Sequence, residues 1–158
     1  MKIEEISRRD FTSETDPGTK ERARGVHSVR YIGVSPDYTV YFNARSASGN
    51  GSYIVKIQLA EYKDIADDED MTVQEKVRLA LAGDLKVSCT CPAFRYWGFE
   101  YINSQLGTHA GEDQDRYPHI RNPKLTGVLC KHAFKAMQNL PMVWNSIASD
   151  IQRGKWMR

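Results

Sequence analysis

Cysteine is scarce in this chain: three in 158 residues, too few and odd in number for the disulfide framework that staples small secreted domains. Long apolar runs are missing as well. None approaches the roughly 20 residues that a membrane-spanning helix needs, and the polar opening MKIEEISRRDFTSETD lacks the apolar stretch of a signal peptide. These absences set the expectation of a protein of the cytoplasm, the reducing compartment of the cell that makes it. No glycine-rich phosphate loop and no nucleophile elbow occurs in the sequence. An excess of one charge is lacking too: 22 Lys and Arg stand against 20 Asp and Glu, which on its own marks no partner.

What is present is enough for one core. Hydrophobic residues make up 41% of the chain and charged residues 27%, the balance of a globular domain. The small net charge is unevenly spread. Residues 113–158 carry eight Lys or Arg against three Asp or Glu, a net of +5, and the remainder has a net of −3. A basic C-terminal third offers Arg121, Lys124, Lys131, Lys135, Arg153, Lys155 and Arg158 to follow a phosphate backbone. A solvated helix and tail have the same composition.

The scarce cysteines are not scattered. Cys89 and Cys91 form a Cys-x-Cys pair, and Cys130 forms a Cys-x-His pair with His132. Three thiolates and one imidazole complete a tetrahedral zinc shell. In an extended segment residues i and i+2 point to one side, so Cys89 and Cys91 can face one ion at the end of the apolar run Leu85-Lys86-Val87. On a helix i and i+2 diverge, so Cys130 and His132 converge only if Cys130 stands at the helix entrance, where free N–H groups and the positive dipole end favour a thiolate. The competing reading is three buried thiols used as small hydrophobes. A Cys89–Cys91 disulfide is strained by its short separation.

This pattern, with Pro92, Phe94 and the closing Cys130-Lys131-His132, resembles the SWIM-type zinc finger, Cys89, Cys91, Cys130 and His132 falling on its four ligand positions. The resemblance implies a small β-β-α zinc module associated with binding DNA or other proteins. It covers residues 53–140, and the thirty-eight residues from Pro92 to Leu129 make a longer gap than the family's usual one. The combination of CPAFRYWGFEYI, RYPHIRNP and GVLCKH is also similar to small zinc-finger proteins of tailed bacteriophages. That likeness implies a phage setting, with the virion as a possible location.

Along the chain, residues 1–25 lack a periodic apolar face and read as a polar arm. Residues 26–34, 38–44 and 53–59 alternate or are rich in β-branched and aromatic side chains, which predicts a three-stranded antiparallel meander with an Asn-Gly tip at 46–52. Tyr31, Tyr38, Tyr41 and Phe42 fit a core face better than a base-stacking platform. The acidic bend at Asp64 and Asp67–Asp70 lacks the calcium-loop spacing. Thr72 and Glu75 form a capping box for a helix that ends at Gly83 and feeds the strand at 85–88. Residues 93–106 predict one helix running to Gly107, apolar on several sides through Phe94, Trp97, Phe99, Tyr101 and Ile102. His109 and His119 read as hydrogen-bonding histidines, and residues 117–123 as extended. The helix after Cys130 has Phe134, Met137 and Gln138 spaced for one buried side, and a last helix carries Val143, Trp144, Ile147 and Ile151. Residues 141–158 read as that helix with a basic tail, whose end is expected to be loose.

The expected class is therefore α+β: a β-meander of about three strands with a zinc-clipped β-β-α unit, in one domain over residues 26–140 with an insertion at 92–129. Four protein ligands close a zinc site and leave no position for an activated water, which sets enzymes aside. The expected function is a zinc-stabilised structural or interaction protein that meets neighbouring protein chains through Phe94, Trp97, Phe99 and Tyr101. The alternative is a nucleic-acid-binding accessory using the basic residues named above.

Overall fold

Alternation of inward and outward side chains organises the scaffold, with one irregularity between Tyr31 and Gly33. In a computed structural model that describes residues 1–3, 22–46 and 51–157, the strands β1 (Ser28–Val34), β2 (Thr39–Arg45), β3 (Ser52–Leu59) and β4 (Leu85–Cys89) form one antiparallel sheet in the order β1-β2-β3-β4. The sheet is α+β in class as expected, with four strands rather than three. The fourth is the strand that carries Cys89, and it pairs with β3 to extend the meander. Val40, Phe42, Ala44, Val55, Ile57, Leu59 and Val87 all lie on the sheet's inner face with no exposure. Full burial of each of these side chains other than Ala44 contributes about 1.5–3 kcal/mol before conformational entropy is charged against it.

Between β3 and β4 come α1 (Tyr62–Ile65) and α2 (Val73–Ala82). The helix α2 begins where the sequence places it. Thr72 accepts from the Glu75 N–H and the Glu75 carboxylate accepts from the Thr72 N–H, so two orphan donors of the first turn are satisfied reciprocally. The helix α5 (Lys131–Asn139) crosses the inner face and touches all four strands. Its Phe134, Ala136 and Met137 are buried, whereas Gln138 is exposed and does not join that side. A 3-10 turn (Leu140–Met142) leads into α6 (Trp144–Gln152), which packs beside α2 and β1. The Arg78 guanidinium lies 4.1 Å from the Trp144 ring centre, and Tyr31 Oη donates to Asp150 Oδ2 at 2.6 Å.

Both ends of the described chain are fixed to this core. The amino group of Met1 meets Asp84 Oδ1 at 3.4 Å, and the Leu85 N–H donates to the Met1 carbonyl at 2.8 Å. At the other end the expected loose tail is seated instead. The Met157 N–H donates to the Val34 carbonyl at 2.8 Å, Trp156 meets Tyr38 edge-on at 6.1 Å, and the Met157 side chain fills the space beside Gly33 where a Cβ would stand 2.4 Å from its Cγ. The central residues of the proposed polar arm (4–21), the tip of the β2–β3 hairpin (47–50) and Arg158 lie outside the described residues. Among the described residues no helix is long and apolar enough to cross a membrane.

Candidate metal centre

The first ligand pair is placed by the sheet. Cys89 pairs with Val55 at the end of β4, and Thr90 then bonds Ile54 twice: its N–H donates to the Ile54 carbonyl at 3.0 Å and its hydroxyl accepts from the Ile54 N–H at 2.9 Å. The backbone remains extended through Cys91, at φ −69° and ψ 151°. Cys91 caps a short helix, α3 (Pro92–Tyr96), its Sγ accepting from the Phe94 N–H at 3.4 Å. The second pair is placed by α5. Cys130 stands at the entrance of that helix, as the spacing requires, and its Sγ accepts from the Ala133 N–H at 3.4 Å. His132 follows in the first turn with its ring 4.9 Å from that of Tyr53 at the start of β3.

These elements bring one donor atom from each of Cys89, Cys91, Cys130 and His132 to within 4.8 Å of one another. Cys91, Cys130 and His132 are 2–3% exposed, and Cys89 is half-buried. The decisive detail is the imidazole: neither Nδ1 nor Nε2 of His132 has a hydrogen-bond partner, although both are buried. An unsatisfied buried polar atom costs about 1–3 kcal/mol, and native structures hold few of them. A metal ion at the centre of the four donors would take one of the two ring nitrogens, so the residues present fit one metal ion.

The thiols tell the same story through charge. Hydrogen bonds from Cys130 and Cys89 hold the Cys91 thiol far below its ordinary pKa. Burial pushes Cys130 well up, with the hydrogen bonds to Cys89 and Cys91 adding to it. For Cys89 the hydrogen bond with Cys130 pulls downward, but that with Cys91, together with burial and the nearby Cys91 charge, outweighs it and pushes the thiol up. Three sulfurs crowded into one buried space therefore perturb one another's ionisation, and a divalent cation among them would favour the deprotonated form that ligation needs. Two backbone N–H donors already point at the sulfurs, the outer support that thiolate ligands require.

The thirty-eight residues between the pairs depart from the expected single helix. Residues 93–106 form α3 and α4 (Phe99–Leu106), broken at Gly98. That glycine has φ +75°, and a Cβ on it would lie 2.3 Å from Pro118, so a distant proline enforces the break. The four aromatics proposed for a partner are divided by it. Phe94 and Phe99 are 1% and 2% exposed within the chain's own core and offer no surface, while Trp97 and Tyr101 are half-buried. Residues 117–123 are turned rather than extended: the Asn122 N–H donates to the Pro118 carbonyl at 3.3 Å.

Two buried asparagines, which composition does not single out, hold this region. Asn122 Nδ2 donates to the carbonyls of Trp97 (3.0 Å) and Thr126 (2.9 Å), and its Oδ1 accepts from the Thr126 N–H and hydroxyl. Asn103 Nδ2 donates to the carbonyls of Phe99 and Val128, each at 2.8 Å, and its Oδ1 accepts from the Thr108 hydroxyl. Each amide uses both its donor and acceptor groups. The histidines left out of the metal set stay out of it. His109 lies over Phe94 and bonds the Glu112 carbonyl through Nδ1, and His119 is exposed beside Tyr117.

Of the basic residues considered for nucleic acid, Lys135 is engaged, its Nζ donating to the Val26 carbonyl at 3.1 Å, and Lys131 is half-buried in the first turn of α5. Arg121, Lys124, Arg153 and Lys155 are exposed. No model of a known protein family, no curated protein and no solved structure matches the chain.

Proposed function

We propose that the chain is a non-enzymatic interaction protein whose insertion is held in shape by a single structural zinc ion on Cys89, Cys91, Cys130 and His132. The carrying observation is the closed donor set with an unpartnered buried imidazole. Three sulfurs and one nitrogen are the ligand choice of structural zinc, and four protein donors leave no open position for a reacting water. The ion cross-links β4 to the start of α5 and so fixes both ends of the excursion between them. The β3, β4 and α5 arrangement is compatible with the SWIM-type module that the Cys-x-Cys and Cys-x-His pairs resemble. The phage-like motifs point to the particle of a tailed bacteriophage as the setting, with other protein chains as partners.

Metal analysis of protein purified without added metal, followed by a thermal melt with and without a chelator, tests the ion. About one zinc per chain and a large fall in the melting temperature on chelation are expected. A metal-free sample whose melt is unchanged by chelator sinks the reading. Fixed copy number in purified particles tests the setting. DNA affinity that falls steeply with salt would favour the nucleic-acid alternative instead.

A further inference from the structure

The insertion carries a cleft of about 340 Å³. The short helix α3 supplies Arg95 and Tyr96 to its wall, and the loop after α4 supplies Arg116, Tyr117, Ile120 and Arg121. We infer that this cleft is the docking site for an acidic segment of a partner protein, an inference that rests on the reading of the chain as an interaction protein.

Charge is the first argument. Three guanidiniums line one small cleft, and among the described residues no carboxylate lines it and none of the three makes an ion pair. Three like charges in one cleft repel one another, so this grouping favours an anionic occupant. Guanidinium pairs with a carboxylate through two parallel hydrogen bonds. The composition is the second argument. Arg and Tyr without Lys is the make-up of protein-interface hot spots, and Ile120, 90% exposed, and Tyr96, 57% exposed, add apolar surface for a partner's side chain.

Rigidity is the third argument. Pro118 sits against Gly98, and Asn122 ties the loop to the Trp97 carbonyl at 3.0 Å. Tyr117 meets Tyr101 edge-on at 5.4 Å and donates its hydroxyl to the Pro123 carbonyl. A wall held this way loses little freedom on binding. The same contacts disfavour nucleic acid. With Tyr101 and His119 packed on Tyr117, Tyr96 is the one tyrosine of the cleft that is exposed, so consecutive bases lack a stacking platform.

The test uses the full chain as purified and a fluorescein-labelled peptide of alternating glutamate and leucine, read by anisotropy. Saturable binding is expected. Arg95→Glu and Arg121→Glu should each raise Kd about tenfold or more, Ile120→Asp should weaken binding as well, and all three variants should melt like the parent, since these side chains are exposed. Absence of peptide binding, equal binding by the arginine variants, or tighter binding of a thymidine oligonucleotide that displaces the peptide would each overturn the inference. The two readings fail separately. A chelator-sensitive melt with no peptide binding removes the cleft alone, and arginine-dependent peptide binding with a chelator-insensitive melt removes the metal alone.

Discussion

The sheet and the insertion are built on different principles. The sheet is held by area: its inner face is a block of aliphatic and aromatic side chains with no exposure, and its geometry follows from alternation and antiparallel pairing. The insertion between Cys91 and Cys130 lends Phe94, Phe99 and Leu129 to that same core, but its path between them is held by points. Two buried asparagines, one glycine beneath one proline, and a donor cluster at its two ends carry its shape. Area is forgiving because many contacts share the load, whereas points are not, because removing one frees the segment it fixes.

Three substitutions break this contrast in turn, from the largest effect to the smallest. His132→Leu removes a ligand while keeping an apolar side chain of similar bulk, and with a bound ion it should cost about 5 kcal/mol in a denaturant or thermal melt. The same change is sharpest as a discriminator. Without an ion it deletes two unsatisfied nitrogens and should be neutral or stabilising. Next, Phe42→Ala opens a cavity in the sheet's inner face and should cost about 3–4 kcal/mol. Native-state hydrogen exchange should then show the amides of sheet and insertion weakened together, as expected for loss of a shared core. Last, Asn122→Ala leaves the Trp97 and Thr126 carbonyls and the Thr126 donors without their partner, for about 1–3 kcal/mol. Exchange should rise between residues 97 and 126 while the sheet amides hold. Equal protection loss in both regions would show that the insertion is not held point by point.

The same contrast explains what the sequence made legible. Strands β1 to β3 follow from alternation and turn chemistry, the α2 start follows from Thr72 and Glu75, and the approach of Cys130 to a helix entrance follows from its spacing to His132. All of these depend on near neighbours in the chain. The break at Gly98 depends on Pro118, twenty residues on, and the buried roles of Asn103 and Asn122 depend on carbonyls at Val128 and Trp97. Nothing in a local pattern separates those asparagines from turn asparagines. The seating of Met157 against Gly33 is of the same kind, because the vacancy over a glycine is filled by a side chain from the other end of the fold. The strand count differs for a related reason: the run Leu85-Lys86-Val87 predicts a strand, but the run alone does not say that it adds a fourth to the meander's sheet.

Cys91 and Cys130 each begin a helix, and their sulfurs stand in one four-donor cluster. The insertion thus departs from and returns to nearly the same place, like a bight tied off at its neck. Such a neck makes the excursion a cassette: another sequence of different length grafted between the two cysteines must supply its own internal fastening and replace the bonds that residues 108–110 make to Val87 at the sheet's edge.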